Sequence, residues 1–220
     1  MEQTVLTADQ KKVIEFVGKS EIAPLFYLTG GTALAGFYLN HRFSDDLDFF
    51  TDKKDFPTFQ VEAIAEEIRK LIGADDFQYS KVYDRRILFF NKNSEEFKVE
   101  FSYYPFQRLN SSNKINNFNI DSLEDIGANK IMALVDRIDA KDFVDIYFLL
   151  KENKFSLKEL LKLTNKKFHF NFDPMTLGSE FAKIKAVTEM PRMVKPLALE
   201  ELKSFFADLA KKLEPKIFDN

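Results

Sequence analysis

The sequence predicts an α+β fold, a mixed β-sheet with flanking helices followed by a C-terminal helical bundle. Apolar residues recur at helical spacing in residues 9–20 and 61–72, but in short strand-like runs at 25–28 and 47–51. Three more strand runs, 77–82, 86–90 and 97–103, are separated only by turn-type residues, which makes a meander. From Asp121 onward the strand pattern gives way to helical periodicity.

Each element follows in order. In DQKKVIEFVGKS, Val13, Phe16 and Val17 share one helical face, and Gly18 and Pro24 end the helix. Residues 25–28 form a short apolar strand that runs into Thr29-Gly30-Gly31. Residues 32–40 read as a helix, 47–51 as a strand, and 61–72 as an amphipathic helix closed by Gly73. After the meander, residues 105–119 are polar and Asn-rich and read as loop. Ser122 with Asp125 makes an acidic capping box for a helix reaching about Asp136. Further helices are expected at 140–150, 156–165 and 198–213. The expected division is a sheet-bearing domain at 1–110 and a helical domain at 111–220.

Composition narrows the function. The 220 residues include no cysteine, which excludes disulfides and thiolate metal sites and suits a reducing cytoplasm. No apolar run approaches the ~20 residues that span a bilayer, so no membrane partner is expected. The start, MEQTVLTADQKK, lacks the basic and apolar segments of a secretory signal. Residues 1–150 hold 18 Lys and Arg against 25 Asp and Glu, whereas 151–220 hold 14 against 10. That asymmetry fits a solvated surface, or an acidic metal-binding part joined to a part that meets a polyanion.

The stretch TGGTALAGFYLNHRFSDDLDFF, Thr29 to Phe50, carries the chemistry. Asp46 and Asp48 are two apart, and on a strand i and i+2 face one side. Two adjacent carboxylates repel unless a cation lies between them. Mg²⁺ commonly uses one or two carboxylates plus substrate phosphates. Asp45 points the other way. Gly30 and Gly31 let a backbone approach phosphate closely, and Thr32 adds a hydroxyl. Taken singly, Ser-Asp-Asp is also surface-turn chemistry and Gly-Gly also a tight turn. Glu100 sits in the apolar strand KVEFSYY. It completes a three-carboxylate site if that strand neighbours 47–51; otherwise it lies on an exposed edge.

In the helical half, Asp142 and Asp145 share a helix face, flanked by Arg137 and Lys141. Lys130 is a point charge suited to a triphosphate. The other reading of this group is an interhelical ion-pair network. His41, beside Arg42, either contacts phosphate or caps the helix that ends at Asn40.

GGTALAGFYLNHRFSDDLDFF resembles the first motif of the AbiEii-type nucleotidyltransferase toxins of type IV toxin–antitoxin and phage-abortive systems. DIGANKIMALVDRIDAKDFVDIYFLL resembles their second signature. The resemblance covers roughly residues 25–150 and implies a polymerase-β-like nucleotidyltransferase fold. It assigns Gly30, Gly31, Thr32 and Lys130 to the nucleotide and Asp46, Asp48 and Glu100 to metal. Asp46, Asp48, Glu100, Lys130 and Asp142 are then the catalytic set, with His41, Arg42, Arg137, Lys141 and Asp145 secondary. Two departures stand out: Lys141 replaces an Arg of the signature, and Glu100 replaces an Asp.

The implied cofactor is Mg²⁺ or Mn²⁺, with an NTP as substrate. The implied reaction is transfer of a nucleoside monophosphate to an acceptor, RNA and most specifically the tRNA 3′ end, with an antitoxin protein as partner. Two alternatives stay open. One is a nucleotidyltransferase that modifies a protein or small molecule. The other is a catalytically inactive nucleotide- or RNA-binding module with the same fold.

Overall fold

In the computed structural model, residues 5–54, 56, 58–111, 113–115, 118–152 and 154–213 are described. They form two compact units, the first drawn from the described residues up to 38 and from 44 to 122, the second from residues 39–43 and the described residues from 123 onward.

The first unit is built on one sheet. Helix α1 (Ala8–Lys19) begins with a capping box, in which Thr7 and Gln10 satisfy each other's backbone N–H groups. Strand β1 (Tyr27–Thr29) leads directly into the short helix α2 (Gly30–Leu34), which continues as one π-helical segment, Ala35–Leu39. Such π segments are frequent at functional sites. Asn40 follows with φ of 48°, a left-handed residue of the kind that ends helices.

Strand β2 (Leu47–Thr51) and helix α3 (Thr58–Ile72) come next. The meander follows as β3 (Asp76–Val82), β4 (Arg85–Lys92) and β5 (Glu95–Tyr103). Residues 105–119 are not all loop, as the sequence suggested. They hold two three-residue strands, β6 (Asn113–Ile115) and β7 (Phe118–Ile120). Strands that short carry no readable alternation. The pairing of Ile120 with Leu28 on β1 and the burial of Phe118 and Ile120 create them.

The sheet order is β3-β4-β5-β2-β1-β7-β6. Strand β2 alternates strictly, with Leu47, Phe49 and Thr51 buried and Asp48 and Phe50 partly exposed. Phe49 stacks on Phe101 at 5.0 Å and meets Phe118 edge-on at 5.5 Å. The abundant phenylalanine thus fills the core under the sheet.

The second unit is helical, with α4 (Leu123–Asp136), α5 (Ala140–Lys151), α6 (Leu157–Phe168), α7 (Pro174–Ala182) and α8 (Leu199–Lys211). Helix α7 is absent from the sequence reading, although Asp173 as N-cap with Pro174 behind it is a legible start signal. Phe143, Phe181 and Phe206 are fully buried, and Phe206 touches the other two. Asp125 accepts from Lys167 at 2.7 Å in a fully buried ion pair.

Residues 39–43 belong to this unit. Phe43 N–H donates to Arg192 carbonyl oxygen at 2.8 Å, and His41 carbonyl oxygen accepts from Val194 and Lys195 N–H at 2.9 Å each. Arg192 lies over the Phe43 ring at 4.3 Å.

Candidate active site

In the first unit the sheet register brings the first motif together. Thr29 pairs with Asp48 across β1 and β2, and Asp48 pairs with Glu100 across the parallel strands β2 and β5. The condition attached to Glu100 is therefore met, because its strand is the neighbour of 47–51. Asp45 is exposed, whereas Asp46, immediately before β2, and Asp48, within it, are half-buried.

Gly30 is required twice over. Its φ of +72° lies in the left-handed region, and a Cβ there would stand 2.6 Å from Asp48 Oδ2. The Asp48 carboxylate rests against bare backbone, in a cradle that any side chain would fill. The loop before β2 is held from two sides. Gln10 Nε2 donates to Ser44 and Asp45 carbonyl oxygens at 2.6 and 3.2 Å, and the Thr32 hydroxyl donates to Asp46 carbonyl oxygen. Thr32, expected to face the nucleotide, is buried and engaged with the loop.

Lys98 and Arg85 escaped the sequence reading. Lys98 is two residues before Glu100, so it shares that strand face. Its ammonium lies 3.2 Å from Asp46 Oδ2 and 3.5 Å from Glu100 Oε2, with the side chain 23% exposed. Burial alone would pull its pKa down, but Asp48, Asp46 and Glu100 outweigh burial and raise it. Arg85 forks onto Glu100 with two bonds of 2.6 Å, and the Ser102 hydroxyl adds a third at 2.6 Å. Burial pushes the Glu100 carboxyl up, yet Arg85, Ser102 and Lys98 together hold it below the usual carboxylate range.

Among the described residues no three carboxylate or imidazole groups converge closely enough to hold a metal ion. Glu100 is engaged by Arg85, and Asp46 and Asp48 are the carboxylates that could hold a cation. Two carboxylates at the start of β2, with the Lys98 ammonium acting on both and Gly30 against Asp48, suit a hard divalent cation that takes its other oxygens from phosphate and water.

The second signature forms a separate cluster inside the second unit. Lys130 Nζ lies 2.8 Å from Asp142 and 2.7 Å from Asp145, and its side chain is only 8% exposed. Arg42 forks onto Asp145 at 2.7 and 2.8 Å, and His41 Nε2 lies 2.7 Å from the same carboxylate. Arg137 bonds both oxygens of Asp142, at 2.7 and 3.2 Å. Lys141 backbone N–H donates to the Asp139 cap carboxylate at 2.8 Å.

Desolvation pushes both Asp142 and Asp145 up, but the surrounding cations win. Lys130 and Arg137 hold Asp142 below the ordinary range, and Arg42 and Lys130 hold Asp145 well below it. For His41, burial outweighs Asp145 and lowers the pKa, so the ring is neutral near pH 7 and donates to Asp145. The arrangement matches the ion-pair reading of these residues. It ties α4, α5 and residues 39–43 into one network.

The described residues include no helix long and apolar enough to cross a membrane. Residues 16–219 match the model of the nucleotidyl transferase AbiEii toxin family of type IV toxin–antitoxin systems. An uncharacterised protein of Aquifex aeolicus is 37% identical over 166 residues, 74% of this chain and 76% of that protein. Among solved structures, JHP933 from Helicobacter pylori superposes with a TM-score of 0.60 at 24% identity, covering 95% of this chain and 90% of that one. The nucleotidyltransferase toxin MenT4 from Mycobacterium tuberculosis superposes with a TM-score of 0.54 at 12% identity, covering 93% and 81%. At these identities the two structures speak for the fold. The family match over nearly the whole chain makes this protein a nucleotidyltransferase of the AbiEii toxin family.

Proposed function

We propose that this protein is a divalent-metal-dependent toxin that transfers a nucleoside monophosphate from an NTP to an RNA hydroxyl, the tRNA 3′ end in particular. Its setting is phage defence in the cytoplasm, and a cognate antitoxin holds it in check. The observation that carries the reading is the packing of the Asp48 carboxylate on Gly30, with Asp46 two residues ahead of it at the entrance to β2.

In this reading Asp46 and Asp48 hold the metal, and Gly30 and Gly31 leave room for the triphosphate. The bound ion supplies charge neutralisation of the phosphates and of the leaving pyrophosphate. The acceptor oxygen attacks the α-phosphorus. The bond from that phosphorus to the oxygen bridging the β-phosphate breaks, and pyrophosphate leaves with the electron pair. Glu100 is kept ionised by Arg85 and Ser102. It takes up the hydroxyl proton only after Arg85, whose side chain is 51% exposed, lets go. Lys130 and Asp142 act through the ion-pair network that anchors residues 39–43 rather than as free phosphate ligands.

The test is transfer of α-labelled ATP, CTP, GTP and UTP, each with Mg²⁺ or Mn²⁺, to total tRNA and to a protein pool. Label in RNA that disappears with Asp48→Asn supports the reading. Label confined to protein moves the acceptor to a different class. The engagement of Glu100 by Arg85 favours one alternative, an inactive binding module. Nucleotide binding without any transfer selects it.

A further inference from the structure

Lys98 forms an ion pair with Asp46, and its place is built rather than incidental. Strand alternation puts Lys98 and Glu100 on one face of β5, with buried Val99 and Phe101 on the other. The parallel register sets that face beside Asp48. The ammonium stands 3.2 Å from Asp46 Oδ2, inside the space a metal bound to that oxygen would need.

We propose that Lys98 is a positioning residue, a resident counter-ion that holds the Asp46–Asp48 pair together in the metal-free enzyme and must move aside for a divalent cation to enter. Lys98 thereby sets the metal concentration at which the site loads. The physical basis is direct. Without a cation, adjacent carboxylates repel and splay, and Lys98 keeps them in register. When a divalent ion arrives at Asp46, a monovalent charge a few ångströms away opposes it. The same residue therefore preorganises the carboxylates and penalises metal occupancy. The proposal rests on the metal-binding reading above.

The experiment is titration of the full chain with Mn²⁺ alone, following free Mn²⁺ by electron paramagnetic resonance, with no nucleotide and no turnover. Wild type, Lys98→Met, Lys98→Arg and Asp48→Asn are compared, and each is melted to show that it is folded. Lys98→Met is expected to bind Mn²⁺ roughly tenfold more tightly, from the removal of one positive charge near the ion. Lys98→Arg, which keeps the charge, is expected to stay within about twofold of wild type. Asp48→Asn is expected to bind more weakly. Equal or weaker binding by Lys98→Met, with Asp48→Asn still weakened, overturns the role of Lys98 and leaves the metal site standing. Mn²⁺ binding that Asp48→Asn does not weaken, or no stoichiometric binding by wild type and Lys98→Met, overturns the metal-site reading and this proposal with it.

Discussion

Gly30→Ala tests the site at its tightest point. The native φ of +72° carries a strain of about 1–2 kcal/mol for any residue with a Cβ. The added methyl also meets Asp48 Oδ2 at 2.6 Å, where ordinary contact begins at 3.4 Å. The carboxylate must retreat by about 0.8 Å, and displacement on that scale is enough to reduce turnover roughly 100-fold. That corresponds to about 2.7 kcal/mol of lost transition-state stabilisation.

Gly73→Ala is the matched control. Its φ is +69°, and nothing lies within 4 Å of the new Cβ. Both variants should lose about 1–2 kcal/mol of stability, which lowers Tm by roughly 2–8 °C for a chain of this size. Only Gly30→Ala should lose label transfer. A Gly30→Ala enzyme within about fivefold of Gly73→Ala would refute the cradle, because strain alone would then account for everything.

Other expected outcomes divide stability from activity. Asp145→Ala removes the shared partner of buried Arg42 and Lys130 and should destabilise the chain by about 3–5 kcal/mol in urea denaturation. A loss below about 1 kcal/mol would show that the network carries no weight. Lys130→Ala should lower stability and transfer together, whereas Asp48→Asn should abolish transfer with little change in Tm. Wild-type transfer in Asp48→Asn would sink the metal-site assignment. The pH dependence has a defined sign. His41, Asp142 and Asp145 all have folded pKa values below their unfolded ones, so each adds stability at high pH that is lost on acidification. Tm should start to fall below about pH 6.5, where the unfolded His41 protonates, and steepen below about pH 4 as the carboxylates follow. His41→Asn should remove the upper part of that fall, and a Tm rising from pH 7 to pH 4 would contradict the assignment.

Much of the first unit was legible because its signals are local. Leu47–Thr51 has the expected bounds, and its period-two alternation buries Leu47, Phe49 and Thr51; Asp46, expected on the strand with Asp48, stands just before it. The site partners were less legible. In the sequence Lys98 is an ordinary strand lysine and Arg85 falls in a turn just before the expected strand 86–90, and only the β4–β5–β2 pairing brings them to Glu100 and Asp46. Strands β6 and β7 were hidden for a similar reason, since three residues show no period and exist as strands only through their partners. The fate of Lys130 and Asp142 stayed open between phosphate ligand and ion pair, because charge spacing along a helix does not report burial.

The chain alone therefore determined which groups are present: a glycine pair, a closely spaced carboxylate pair and a second charged signature, ordered as in the AbiEii toxins. Tertiary structure decided how those charges are distributed. It turned Glu100 to Arg85, set Lys98 against Asp46, and closed Lys130, Arg42 and His41 around Asp142 and Asp145. The division has a physical cause. Backbone periodicity is set by neighbours along the chain, whereas the partner of a charge is set by whichever element packs against it.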